Sequence, residues 1–261
     1  MPEILSIFDS ITLNELDDVS LLNRTDTKFV THVSKMHSLL QLAVEDYRLL
    51  EIDGGRISPY HTLYFDTPDM AMYRKHEAGH TNRQKVRVRS YIKSGLSFLE
   101  VKTKDNHGRT CKERMPMKDF DPMDTARDIM FRSQDDEFKL YDDFLETHLW
   151  YDPNTLGEHL TNRFNRITLV NREKTERVTI DFGLQFNNIL TWKCLAMDKV
   201  AIIELKRDGF QPSAIMGMLN TLRIKPMGFS KYVIGSALTN EHLRCNRIKP
   251  NLRRISQLSS Y

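Results

Sequence analysis

The segment RQKVRVRSY, residues 83–91, carries a cation or a tyrosine at every odd position, with Val86, Val88 and Ser90 between them. A period of two is the signature of a β-strand, and it puts Lys85, Arg87 and Arg89 on one face. The pattern recurs. In FLEVKTK, residues 98–104, Glu100, Lys102 and Lys104 share one face while Leu99 and Val101 share the other. Lys112 and Arg114 stand two apart, as do Arg166 and Thr168, and Arg177, Thr179 and Asp181 follow the same spacing. Glu204 and Lys206 interrupt the otherwise apolar run VAIIELK, residues 200–206. Charged alternation ordinarily marks a solvated sheet face. Here the charges are mostly of one sign and recur on successive strands, so they would converge on one surface. A strand as apolar as 200–206 also holds charges only with a partner or a ligand. Like charges about 4 Å apart repel by roughly 4 kcal/mol at an effective dielectric near 20. Such a cluster calls for a polyanion or many counterions.

Eight segments read as strands: about 24–32, 60–66, 83–92, 96–104, 109–117, 163–171, 176–183 and 200–206. KDNHG (104–108) and NREKTE (171–176) serve as hairpin turns. Helical spacing appears at 34–47, capped by Ser34, and at 213–223 and 230–244. Within 121–153, Phe138, Tyr141, Phe144, Leu145 and Leu149 recur at helical spacing, and an Asp-Pro pair ends the stretch. Regular βαβ alternation is absent, which argues against a doubly wound parallel sheet. The expectation is an α+β fold: an eight-stranded antiparallel closed β-barrel flanked by helices, with the cations inside. The last residues, IKPNLRRISQLSSY, are polar and expected to form a loose tail.

A hydrophobic fraction of 40% supports a globular chain, and a net charge of +3 gives no case for nucleic acid as partner. Cys111, Cys194 and Cys245 form no metal-binding spacing and fit free thiols in a reducing compartment. The N-terminus lacks the pattern of a signal peptide, and no run approaches the roughly 18 apolar residues of a membrane span. A soluble cytoplasmic protein is expected.

Glu100 and Glu204, with Asp26 or Asp181, are hard oxygen donors suited to Mg²⁺ or Mn²⁺. Glu204 is equally suited to an internal ion pair with a neighbouring Arg. No HExxH motif suggests zinc, and no Gly-rich phosphate loop is present, so phosphate would be held by side chains.

In order along the chain stand R-x-D-x-K-F (24–29), YFDT (64–67), K-x-R-x-R-x-Y (85–91), F-L-E-V-K-x-K (98–104), K-x-R (112–114), F-x-R (164–166), IELK (203–206) and FSKYVIG (229–235). This series resembles the VTC domain, the polyphosphate polymerase domain of the vacuolar transporter chaperone family, within the CYTH or triphosphate tunnel metalloenzyme superfamily. The resemblance runs from about residue 20 to 240. It implies a tunnel domain over 21–245 after a short lead-in (1–20), with 121–153 as a helical insertion and 246–261 as the tail. It implies catalytic roles for Lys28, Arg87, Arg89, Lys206 and Lys231. Phosphate binding would fall to Lys102, Lys104, Lys112, Arg114, Arg166, Arg177 and Ser230, and metal binding to Glu204 and Glu100. The implied reaction is transfer of the γ-phosphoryl group of ATP to a polyphosphate chain, with Mn²⁺ or Mg²⁺. A triphosphatase or short-chain polyphosphatase, and a non-catalytic polyphosphate or nucleotide sensor, are the alternatives. Any coupling to a membrane would need a separate partner. Three positions depart from the family's catalytic members: Phe164 stands for Tyr, Gly228 for Lys and Lys104 for His. Arg24-x-Asp26-x-Lys28 replaces the first Glu of the classical CYTH hydrolases and cyclases with a cation, which argues against that branch.

Overall fold

A computed structural model describes residues 1–17, 24–117, 136–209 and 212–260. The alternating segments form the expected strands. They are β2 (Arg24–His32), β4 (Ser58–Asp66), β5 (Arg83–Tyr91), β6 (Leu96–Lys104), β7 (Thr110–Met117), β8 (Gly157–Asn171), β9 (Glu176–Asn188) and β11 (Val200–Asp208). Three short strands went unread in the sequence: β1 (Ser10–Ile11), β3 (Tyr47–Leu50) and β10 (Cys194–Met197). Neighbours run in the order β2-β11-β9-β8-β4-β5-β6-β7, and every pair along that path is antiparallel.

The closed barrel expected from the sequence is not what forms. No ladder joins β2 to β7 among the described residues, so the sheet is open. Two physical causes are visible. The outer edge of β2 is taken by residues 224–228, which we call the strap: Phe29 bridges Pro226, and the Met227 amide donates to the Lys28 carbonyl at 2.8 Å. Proline has no N–H and stops a ladder from continuing there. The inward side chains also repel across the gap. Lys28 on β2 lies close enough to Lys85 on β5 and Lys102 on β6 to lower the pKa of both. The sheet therefore curls into a tunnel-like trough with one unzipped seam.

Helices cover its outside and plug one end. Even-numbered β5 residues Val86 and Val88 pack with Leu99 and Val101 under Tyr141, Leu145 and Leu149 of the helix Asp136–His148 and its C-terminal end. The 121–135 part of that expected helix lies outside the described residues. Ile167, Leu169, Val178, Ile180, Ile203 and Leu205 pack against Met36, Leu39, Leu40 and Ala43 of the helix Val33–Ala43, and against Ile215 and Leu219 of Ala214–Thr221. The first of these helices is capped by His32, not Ser34: His32 Nδ1 accepts the Ser34 amide. It also ends before Tyr47, because residues 47–49 pair with β8.

The helix Lys231–Thr239 closes one end of the trough with Tyr232, Val233 and Ile234. Its Gly235 lies so close to Phe186 that a Cβ would sit 2.4 Å from the ring. The C-terminal residues expected to be loose form a helix, Lys249–Ser259, with Ile255 buried and Leu252 and Leu258 packed beside it. Their spacing of three residues makes an apolar stripe that the polar composition around it conceals.

Candidate functional site: a basic trough organised by three carboxylates

The period of two delivers its side chains to the concave face as expected, and register between strands sorts them. On β5 the exposure alternates strictly, with Val86, Val88 and Ser90 buried outward and Lys85, Arg87 and Arg89 turned inward. Three acids form ion pairs with the cations, and Asp26, opposite Lys206 in the β2–β11 ladder, adds a negative charge felt by Lys102 and Lys206. Glu100 receives Arg87 at 2.6 Å from Nη2 and 2.7 Å from Nε, and Lys112 at 3.3 Å on its other oxygen. Glu204 holds Lys28 on one oxygen and Lys206 on the other. Asp181 takes a two-pronged Arg166, 2.6 Å from Nε and 2.8 Å from Nη2, and shares one oxygen with Lys231. Register sets each group: Arg87 faces Glu100, Lys28 faces Glu204 and Arg166 faces Asp181 across adjacent strands.

These acids are firmly ionised. Burial would raise Glu100, but Arg87, Arg89 and Lys112 outweigh it and hold its pKa at about 2. Burial likewise opposes the charge on Asp181 and Glu204, and their paired cations override it, leaving both far below the carboxylate range.

Lys85, Arg89 and Lys102 form no ion pair with these three acids. Lys85 donates to Ser230 Oγ at 3.0 Å, and Ser230 also caps the helix Lys231–Thr239 through the Val233 amide. Desolvation, then repulsion from Lys102, Arg83, Arg87 and Lys28, pushes Lys85 well below its usual pKa. Lys102 is lowered in the same way, by desolvation and then by Arg87. Arg89 has a buried Nε with no hydrogen-bond partner, and it is depressed by desolvation and by Arg87 and Arg166. Burial draws Lys206 and Lys231 down to about 8 despite their acids. A trough in which cations depress one another's protonation is short of negative charge.

Most of the expected site residues therefore meet: Lys28, Arg87, Arg89, Lys102, Lys112, Arg166, Lys206, Ser230 and Lys231 converge. Arg177 faces Lys206 across the β9–β11 ladder. Lys104 lies opposite Arg83 at the far end of the β5–β6 hairpin. Arg114 is exposed on edge strand β7, opposite Glu100 in the β6–β7 ladder, with its guanidinium 4.8 Å from the Phe98 ring. Among the described residues no three His, Cys, Asp or Glu side chains gather as a metal cage. Glu100, only 1% exposed at its side chain, has its two oxygens engaged by Arg87 and Lys112, as Glu204 has by Lys28 and Lys206. Glu204 is more open, at 19%.

Sequence reasoning missed the aromatic floor. Tyr60 stacks on Phe164 at 5.1 Å and 4°, with Arg166 5.0 Å and Arg89 5.7 Å from the Tyr60 centroid and Lys231 4.2 Å from that of Phe164. Period-two spacing of Tyr60, Thr62 and Tyr64 on β4, beside the cations of β5, was the signal available. Also missed was the clasp at Asp66. Its carboxylate, fully buried, accepts the amides of Thr67, Met72 and Tyr73 and the hydroxyl of Tyr232, and so fastens the end-plug helix next to Lys231.

The VTC domain profile matches residues 23–240, from β2 through the end-plug helix. The chain belongs to the VTC domain family. That membership places its chemistry with polyphosphate and triphosphates, the class of ligand that the cation surplus demands. No curated protein sequence matches the chain. Solved structures similar to it include an adenylyl cyclase-like protein from Hippeastrum, described as having a dominant triphosphatase activity. That match has 15% identity and a TM-score of 0.48, covering 82% of this chain and 96% of that one. An adenylate cyclase-like protein from Vibrio parahaemolyticus matches at 10% identity and a TM-score of 0.44, covering 80% and 97%. A Pyrococcus horikoshii protein matches at 10% and 0.40, covering 77% and 91%. In this VTC domain no described helix is long and apolar enough to cross a membrane.

Proposed function

We propose that this VTC domain is a polyphosphate polymerase that moves the γ-phosphoryl group of ATP onto the end of a polyphosphate chain inside the trough. The observation that carries the reading is the state of the acids. Asp181, Glu100 and Glu204 are each clamped by two cations and held far below the range in which a carboxylate accepts a proton near neutral pH. Hydrolysis gains from a base that takes a proton from water, and these three acids are poor bases. A terminal phosphate of polyphosphate is already an anionic nucleophile and needs none. What transfer needs is alignment and stabilisation of charge on the moving phosphoryl group, and fixed guanidinium and ammonium groups supply both.

Arg87 and Arg89, two residues apart on β5, are spaced to grip successive phosphates, with forks that fit phosphate oxygens. Lys206, Lys231 and Lys28 surround the reacting group, and Lys85 and Lys102 hold the chain. A Mg²⁺ or Mn²⁺ arriving with the triphosphate would find Glu204 as its protein ligand, beside phosphate oxygens and water, and would neutralise charge on the phosphates.

The test incubates purified protein with ATP and Mn²⁺ or Mg²⁺ and resolves the products by chain length. Long-chain polyphosphate supports the polymerase, and single Arg87→Lys and Arg89→Lys changes are then expected to lower kcat, because charge survives but orientation does not. Free phosphate alone would establish the hydrolase instead. Tight polyphosphate binding with no turnover under either metal would leave a sensor.

A further inference from the structure

On the far side of the strap from Lys28 lies a groove of about 450 Å³, between the start of the helix Val33–Ala43, the strap and the C-terminal helix Lys249–Ser259. Lys35, Arg223, Lys225 and Arg254 line it, and no acid does. Among the described residues Arg223, Lys225 and Arg254 have no ion-pair partner, and Lys35 donates one N–H to the Leu222 carbonyl at 2.9 Å, a neutral acceptor that leaves its charge uncompensated. The imbalance is written in the sequence: from 209 to 261 the chain carries eight Lys and Arg against a single acid, Glu241. An independent observation points the same way. His32 lines the groove, and its Nδ1 is used up accepting the Ser34 amide, so Nε2 carries the ring hydrogen. That Nε2 is buried and has no hydrogen-bond partner. A buried donor without an acceptor is destabilising, and an acceptor brought to this side of the groove would relieve it.

We propose that this groove is a second binding site, outside the trough, for a phosphate chain. Arginine forks, lysine ammonium groups and an imidazole N–H donor are the set that grips successive phosphate oxygens. The lining holds no Phe, Tyr or Trp on which a nucleobase could stack, which disfavours single-stranded nucleic acid. The groove shares a wall with the trough. Pro226 and Met227 line it while the Met227 amide bonds to Lys28, and Asn251 of the C-terminal helix ties down the Gly228 carbonyl at 2.8 Å. Two and three residues further on stand Ser230 and Lys231. A chain bound here therefore braces the segment that presents those two side chains. The proposal rests on the trough reading only for the choice of phosphate as the anion.

Labelled long-chain polyphosphate and inorganic triphosphate are the probes. The variant Arg223→Gln/Lys225→Gln/Arg254→Gln changes exposed side chains only, so the fold is expected to survive. Binding of the long chain should fall roughly tenfold to a hundredfold with a shallower salt dependence, while triphosphate affinity stays unchanged. His32→Asn, which keeps an acceptor for the Ser34 amide but loses Nε2, should show the same discrimination more weakly. Saturating triphosphate should leave the labelled chain bound to the wild type and not to the triple variant. Unchanged long-chain binding in that variant, an equal loss for both probes, or full displacement of the chain by triphosphate would each overturn the second site. A protein that makes no polyphosphate from ATP yet passes these tests would sink the polymerase and keep the groove.

Discussion

Binding of a triphosphate to the trough should draw protons from solution, and the amount follows from two lysines. Lys206 and Lys231 sit near pKa 8 in the trough, because burial outweighs the help of Glu204 and Asp181. The polyanion favours their charged forms and returns them toward the ordinary lysine value. The sign follows directly: below pH 8 both are already charged and binding takes up little, while above it each neutral lysine must gain a proton. If the bound pKa values reach about 10, then between pH 7 and pH 9 each lysine lowers affinity about tenfold, so the pair lowers it about a hundredfold. Proton uptake should be about one per site at pH 8 and approach two near pH 9, with Lys85 and Lys102 adding to it. Calorimetric titration with a non-hydrolysable ATP analogue, repeated in buffers of different ionisation enthalpy, reads both quantities. Lys206→Arg, which stays charged, should remove about half of the dependence contributed by the pair. Affinity that stays level from pH 7 to 9, with no buffer-dependent heat, would refute the claim that the trough is starved of negative charge.

Glu100 should confer acid sensitivity. Its folded pKa of about 2 lies below the model-peptide value of 4.5, so its contribution is complete above pH 4.5 and is lost as pH falls toward 2. On the order of 3 kcal/mol of stability rides on that window, and Glu100→Gln should flatten the acid limb of a denaturation curve. Glu204→Gln should abolish metal-dependent turnover while circular dichroism reports an intact fold, and an unchanged Mn²⁺ activation curve would remove Glu204 from the metal site. Gly235→Ala should cost about 1–3 kcal/mol by driving a methyl into Phe186 and Leu160, read as a lower denaturant midpoint. Tyr232→Phe, which deletes only the hydroxyl on Asp66, should cost about 1–2 kcal/mol and lower kcat more than it raises KM for ATP, and equal effects on both would deny it a role in placing Lys231.

The strands of the trough were legible because their cause is local. Side chains on an extended backbone alternate whatever the strand pairs with, so RQKVRVRSY announced both its conformation and the face its cations share. The same holds for Ile255, whose stripe with Leu252 and Leu258 is local too, though it was hidden among polar neighbours. Three matters were decided only by tertiary structure. Which cation neutralises which acid depends on register between distant segments: Lys28 and Glu204 are 176 residues apart, and Asp181 and Lys231 are 50 apart. Glu204 read only as one acid on an apolar strand until that register brought two ammonium groups onto it. Closure was the second, since eight strands of the right spacing suit a barrel, yet Pro226 on the edge of β2 and the repulsion of Lys28, Lys85 and Lys102 leave the seam open. The third was protonation. A lysine reads as +1 in any sequence, and only the burial and crowding of the folded trough bring Lys206 and Lys231 down to about 8, where their charge becomes conditional on what is bound.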